Sequence, residues 1–385
     1  MLSERVWGLP VEFLPTLSPM PLSSRDDARS QRKREALAMT RIKTAVVGAG
    51  HLGKIHARLM VAQPLSWFDS IVEPFENARL AASDEFAVDV YGDHREVIGK
   101  VDAVVVAAPT SLHHTICRDY LNAGMHVLVE KPITQTLEQA QELVTLARKN
   151  DCVLQVGHVE RFNPAWQTAA AAIGDVRFME ARRTSPYSFR STDVGVVLDL
   201  MIHDLDLLLS LTQSEPVDVC ATGQSILGPH EDIAYATIRF ADGTAASLHA
   251  SRCSDQPQRT AHLFGDLGAA TVDLTQRTVS VLRPTEAQQD GAYALESLAA
   301  EDRVRLKESF FREVMIRETI TVAGNNAIRD EQAEFLSSIV HHHAPLVTGE
   351  DGLRALSLAR EITSQISAQR QAPTIFTFGA TRRAA

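Results

Sequence analysis

No run of about 18 consecutive apolar residues occurs in this chain of 385 residues, so no membrane-spanning helix is expected. The longest candidate, around Val194 to Leu211, is broken by Asp199, His203, Asp204 and Asp206. Cysteine is scarce. Cys117, Cys152, Cys220 and Cys253 are scattered without a CxxC pair, the pattern of reduced structural thiols in a cytoplasmic protein. A basic excess is also missing: formal net charge is −10, which argues against a general nucleic-acid binder. A local basic pocket for a small anion stays open. Internal repeats are absent by eye.

The first 38 residues differ from the rest and are rich in Pro, Ser and Arg. Glu4, Pro10 and Glu12 interrupt any signal-peptide core, and four acidic residues before position 28 oppose a transit peptide. Residues 1–40 are expected to be a disordered or spurious extension, with Met39 as an alternative start.

From Ile42 the pattern is regular. Apolar strands ("IKTAVV", "FDSIVEP", "DAVVVAAPT", "HVLVEKP", "CVLQVGH") alternate with helical stretches. Such alternation reads as βαβ units on a parallel sheet, so residues 41–162 are expected to form a Rossmann dinucleotide-binding domain. Residues 163–385 read as an α+β domain with a mostly antiparallel sheet. In it "FADGTAA" marks a hairpin, and a helix over Leu198–Leu211 covers one face. The fold class is α/β.

Gly48, Gly50 and Gly53 follow the first strand and open a helix, and Glu73 ends the second strand 20 residues after Gly53. Each has a physical task. Gly48 makes the tight turn, Gly50 lets backbone approach a pyrophosphate, and Gly53 permits close helix–strand packing. The anion sits on free N–H groups at the helix N-terminus. A carboxylate at Glu73 accepts both ribose hydroxyls and repels a 2′-phosphate, which favours NAD over NADP. Arg79 reads as a solvated helix residue.

Asp199, His203, Asp206 and Ser210 fall on one helical face at spacing 4, 3, 4 within an otherwise apolar helix. Asp206 and Ser210 fit a solvated edge; Asp199 and His203 fit it less well. No supporting motif makes this stripe a metal site, and His341–His343 reads as a polar helix end.

"VVGAGHLGKIHARLM", "APTSLHH", "AGMHVLVEKPI" and the Asp199/His203 helix, in that order, resemble the Gfo/Idh/MocA oxidoreductases from about Ile42 to about Gln371. The resemblance implies a large open second sheet, often used to form homodimers or homotetramers. It also implies hydride transfer between NAD(P) and a sugar or polyol, with Lys131, Asp199 and His203 as the catalytic group. His203 would be the base, oriented by Asp199, and Lys131 would steady the alkoxide. His51, Leu52, Pro109, Thr110, His113 and Glu130 would join the cofactor site. "VGHVERFNPA" and "SPYSFRSTDVGVVLDLMIHDLD" are similar to the UDP-N-acetylglucosamine 3-dehydrogenase branch, which implies a nucleotide-linked sugar substrate.

Arg161, Arg182, Arg183 and Arg190 flank the cleft in that reading, and arginine forks suit a diphosphate. At most one of Arg182 and Arg183 faces it, since they alternate along a strand. His158, Glu160, Asn163, Tyr187 and Ser191 are further substrate contacts. An inositol or free-sugar dehydrogenase, and a catalytically silent NAD-binding sensor, are the alternatives.

Overall fold

The computed structural model describes residues 41–189, 193–294, 296–324 and 326–371. The expected N-terminal extension, Arg190 and Ser191 lie outside the described residues.

The first half is a six-stranded sheet in the order β3-β2-β1-β4-β5-β6. Its strands are β1 (Ile42–Val47), β2 (Ser66–Val72), β3 (Asp89–Tyr91), β4 (Ala103–Val106), β5 (His126–Glu130) and β6 (Leu154–Gly157), and every neighbouring pair is parallel. The apolar runs read from the sequence are unbroken because both faces are covered. Ala45, Val47, Val104 and Val106 enter one core, whereas Val46, Ala103 and Val105 enter another on the opposite face. Helices α1 (His51–Val61), α2 (Glu76–Phe86), α3 (Thr110–Asn122) and α4 (Leu137–Lys149) connect these strands. Strand β3 was not foreseen; it is three residues long and polar at Asp89.

After helix α5 (Pro164–Ile173) comes an eight-stranded sheet in the order β14-β13-β12-β11-β7-β10-β9-β8. In chain order its strands are β7 (Val176–Thr184), β8 (Pro216–Gln224), β9 (Ile233–Phe240), β10 (Ala245–Ser251), β11 (Gln258–Gly265), β12 (Gly268–Asp273), β13 (Thr278–Pro284) and β14 (Met315–Thr321). All pairs are antiparallel except β7 with β10. The β9–β10 hairpin forms at the expected Asp242-Gly243 turn, where Gly243 takes φ +88°. Edge strand β14 escaped sequence reading because most of its residues are exposed and no apolar alternation marks it.

The expected helix at Leu198–Leu211 begins as a π turn, Val197–Met201, and becomes α-helical (α6) over Ile202–Leu211. Two further helices (Glu286–Gln289 and Ala300–Ser309) precede β14. The tail helices, Ala327–His341 and Gly349–Gln371, return toward the first half. There Gln63 Nε2 donates to the Arg329 carbonyl at 2.6 Å and Gln155 Nε2 to the Glu331 carbonyl at 3.1 Å.

Candidate active site

The glycine turn has the geometry a dinucleotide needs. Gly48 sits at φ +96°, and a Cβ there would meet the Ala107 carbonyl oxygen at 2.8 Å. A Cβ on Gly53 would collide with the Gly48 carbonyl oxygen, while one on Gly50 would meet open space. Helix α1 starts at His51 with no side-chain cap, so its first amides are free to receive an anion. Beside the turn lies a cavity of about 840 Å³ lined by Gly48, Gly50, Glu73, Phe75, Arg95 and Pro109, among others. Glu73 is fixed within it. Its carboxylate accepts from the Ala49 N–H at 2.8 Å and the Phe75 N–H at 3.1 Å. These residues fit a bound NAD.

Arg79 is not a solvated helix residue. Its guanidinium donates to the Glu73 carbonyl at 2.9 Å and the Pro74 carbonyl at 3.1 Å, bracing the loop that carries Glu73. His113 is a packing and hydrogen-bonding residue, the role its sequence context favoured over a proton carrier. It is buried beneath the lining, with Nδ1 at 3.0 Å from the Pro132 carbonyl and Nε2 at 2.8 Å from the Ala108 carbonyl. Burial lowers its pKa, and a neutral ring donates to one of the two oxygens. His113 thus ties together two loops and is not among the residues lining the cavity. Thr110 opens helix α3 and His51 and Leu52 open helix α1, all three outside the cavity lining.

Glu130 turns away from the cavity as well. Its Oε1 lies 2.8 Å from His56 Nε2 and its Oε2 accepts from the Lys131 N–H at 3.3 Å. Gln332 Nε2 donates to His56 Nδ1 at 3.0 Å, which leaves the ring proton on Nε2, pointing at Glu130. Glu331 completes this group: the ligand atoms of His56, Glu130 and Glu331 lie within 4.8 Å of one another. With the His56 Nε2 proton directed at Glu130, that ring offers no lone pair to a metal. Glu331 is fully buried with neither carboxyl oxygen partnered, and burial together with nearby Glu130 holds its pKa well above the ordinary range.

Lys131, Asp199 and His203 gather at the C-terminal ends of the Rossmann strands, where ligands of open α/β sheets bind. Lys131 Nζ donates to the Asp199 carbonyl on the π turn at 2.7 Å and lies 3.6 Å from Asp199 Oδ1. Burial lowers the Lys131 pKa, opposed by Asp199 and Glu130. No hydrogen bond joins Asp199 to His203 among the described residues. Asp199 sits on the π turn Val197–Met201 and meets Lys131 there. His203 Nδ1 is buried and unpartnered. Its pKa falls well below the usual value, through burial and then through Lys131 and Arg183. His158, 1% exposed, packs edge-on to it with ring centroids 6.4 Å apart, and both of its nitrogens are unpartnered.

Two of the expected substrate arginines are instead structural. Arg161 grips Asp206 with two hydrogen bonds, at 2.8 and 2.9 Å. Asp206 is therefore a buried ion-pair partner and not a solvated edge. Arg183 grips Asp204 at 2.8 to 3.1 Å and also donates to Glu160 at 2.8 Å. Both guanidiniums are spoken for, as buried charges must be. Asn163 is likewise committed. Its Oδ1 caps helix α5 at the Ala165 N–H, while Nδ2 donates to Glu160 and the Leu274 carbonyl. Arg182 lies on the opposite, exposed face. Tyr187 stays half-buried beside Phe189, and the Arg252 guanidinium lies 5.4 Å from its ring centre.

Residues 42–158 match the oxidoreductase family with an NAD-binding Rossmann fold, and residues 168–271 match the GFO/IDH/MocA C-terminal domain. This chain is a GFO/IDH/MocA oxidoreductase. Among its relatives, UDP-N-acetylglucosamine 3-dehydrogenase of Acidithiobacillus ferrooxidans is 32% identical over 335 residues, 86% of this chain and 99% of that protein. A solved structure of that enzyme superposes with a TM-score of 0.74, covering 85% of this chain and 98% of the other. Inositol 2-dehydrogenase of Rhizobium meliloti is 25% identical over 86% of this chain and 98% of that protein. As a GFO/IDH/MocA enzyme the chain uses NAD, and its mixed architecture is that of the family. Sequence reading missed His56, Glu331 and Arg259 within this framework. His56 lies within the quoted "VVGAGHLGKIHARLM" but was given no role; Glu331 and Arg259 stand in no motif and meet the site only through tertiary packing.

Proposed function

We propose that this oxidoreductase converts the 3-hydroxyl of UDP-N-acetylglucosamine to a ketone, with His203 as base, Lys131 at the reacting oxygen and Asp199 holding Lys131. Bound NAD supplies the hydride acceptor. The chain's own residues manage the proton. His203, neutral at pH 7 and unpartnered at Nδ1, accepts the hydroxyl proton. Lys131 donates a hydrogen bond to the oxygen as negative charge develops there. Asp199 keeps the ammonium aimed, through its carbonyl at 2.7 Å. In the reverse direction His203 is the acid. The single observation that carries this reading is the unpartnered, buried His203 beside the Lys131–Asp199 pair. The choice of sugar leans on the relative that is 32% identical along 99% of its length. The 3-keto product suits amination on the way to an amide-linked lipid A, and the four free cysteines suit a cytoplasmic site of action.

Homo-oligomerisation belongs on the uncovered face of the second sheet, where Phe178, Tyr235 and Phe264 are exposed. Light scattering that shows a monomer would remove that assignment. The activity is tested with purified full-length chain, NAD and a panel of UDP-N-acetylglucosamine, myo-inositol and free sugars, followed by NADH absorbance. Turnover is expected to be fastest with the nucleotide sugar. His203→Ala is expected to lose about 100-fold or more in kcat, the scale of general base catalysis. Silence with every substrate, or a fully active His203→Ala, would overturn the proposal.

A further inference from the structure

Strands β7 and β11 place Arg183 directly opposite Arg259. Both lie on the covered side of the second sheet, in step with the buried pairs Ala181–Ala261 and Met179–Leu263. Like charges facing each other across a ladder are unfavourable unless each is compensated. Arg183 is compensated twice, by Asp204 and by Glu160. Arg259 is not. Its nearest carboxylate oxygen is Glu160 Oε1 at 3.8 Å, beyond hydrogen-bond reach. That oxygen already accepts from Arg183 Nη1 at 2.8 Å, and Oε2 accepts from Asn163 at 3.2 Å. Among the described residues, the Arg259 guanidinium makes no hydrogen bond, and its side chain is 58% exposed.

Its surroundings give this spare cation a direction. Arg259 is among the charges that depress the His203 pKa, behind burial, Lys131, Arg183 and His158, so its field reaches the reacting end of the cleft. His158 waits there with both nitrogens unpartnered. Of the arginines first considered for a diphosphate, Arg161 and Arg183 are closed off by their own aspartates, Arg182 lies on the opposite face of the sheet, and Arg190 lies outside the described residues. A planar fork that is charged, accessible and free of hydrogen bonds is the group that binds phosphate oxygens two at a time.

We propose that Arg259 is the residue that recognises a phosphate of the substrate's diphosphate, and so selects a nucleotide-linked sugar over a neutral one. This rests on the nucleotide-sugar reading above. It is tested by steady-state kinetics of full-length wild type, Arg259→Gln and Arg259→Lys with NAD, using UDP-N-acetylglucosamine, free N-acetylglucosamine and inorganic pyrophosphate as an inhibitor. Arg259→Gln is expected to raise KM for the nucleotide sugar about tenfold to 100-fold, as loss of a charge-assisted contact does, with a smaller fall in kcat. Arg259→Lys recovers part of the loss because it keeps charge but not the fork. Pyrophosphate inhibits wild type competitively and Arg259→Gln more weakly. An unchanged KM in Arg259→Gln, or an equal loss with free N-acetylglucosamine, overturns the inference and leaves the nucleotide-sugar reading standing. Absence of wild-type turnover with UDP-N-acetylglucosamine removes that reading, and the inference with it.

Discussion

The two sides of the cleft treat their polar groups differently. On the dinucleotide side Glu73 already accepts two backbone amides and His113 is braced between two carbonyls. On the substrate side His158 and His203 keep buried nitrogens without partners, and the Arg259 guanidinium makes no hydrogen bond among the described residues. A few residues away, Arg161 and Arg183 are fully paired. Under the proposed function the difference separates framework from site: Glu73, His113, Arg161 and Arg183 are bonded within the protein, and the groups proposed to meet substrate are left open. Such openness costs folding free energy that catalysis recovers.

The largest expected effect breaks the framework. Arg183→Leu strands Glu160 and Asp204 without their cation, and unfolding free energy should fall by about 3–5 kcal/mol. Urea denaturation measures this, and a loss below about 1 kcal/mol would mean the pairing is dispensable. A smaller and opposite effect is expected on the open side. His158→Phe fills the same space without unpartnered nitrogens. It should leave stability unchanged or raise it by about 1 kcal/mol while kcat/KM falls about tenfold. A strongly destabilised but fully active His158→Phe would erase the contrast between the two sides.

The smallest effect concerns one of the unpartnered buried groups behind the dinucleotide side, Glu331. Burial and nearby Glu130 keep it protonated in the fold, whereas the unfolded chain releases that proton near the ordinary value of 4.5. An acid with a raised folded pKa loses folding free energy as pH climbs above its unfolded value, until the folded value is passed. Glu331→Gln mimics the neutral acid and escapes that loss. Its melting temperature should match wild type at pH 4 and exceed it by about 2 °C or more at pH 8. Equal melting curves at both values would show that Glu331 is ionised in the fold.

Legibility from sequence followed the range of each interaction. The Gly48–Gly53 turn and the Rossmann strands were readable because their causes lie within a few residues. Asp199 and His203 stood out as an oddity in an apolar helix, but the π turn between them left no mark, since their spacing of four looks helical. The ion pairs were invisible: Asp204 finds Arg183 21 residues away and Asp206 finds Arg161 45 residues away. An arginine's identity says nothing about whether an aspartate will claim it. That is why Arg161 and Arg183 looked like ligand forks and Arg259 did not.

The two aspartate–arginine pairs also act as a keyway for helix α6. Residues on a helix turn by about 100° each, so Asp204 and Asp206 project in well-separated directions around its axis. With each aspartate engaged by a different arginine, on β7 and on the segment after β6, the helix can neither roll nor slide without disengaging one of them. His203, next in line, inherits that fixed bearing. Its ring is aimed by the shaft on which it is mounted, and both its nitrogens are spared from holding it in place.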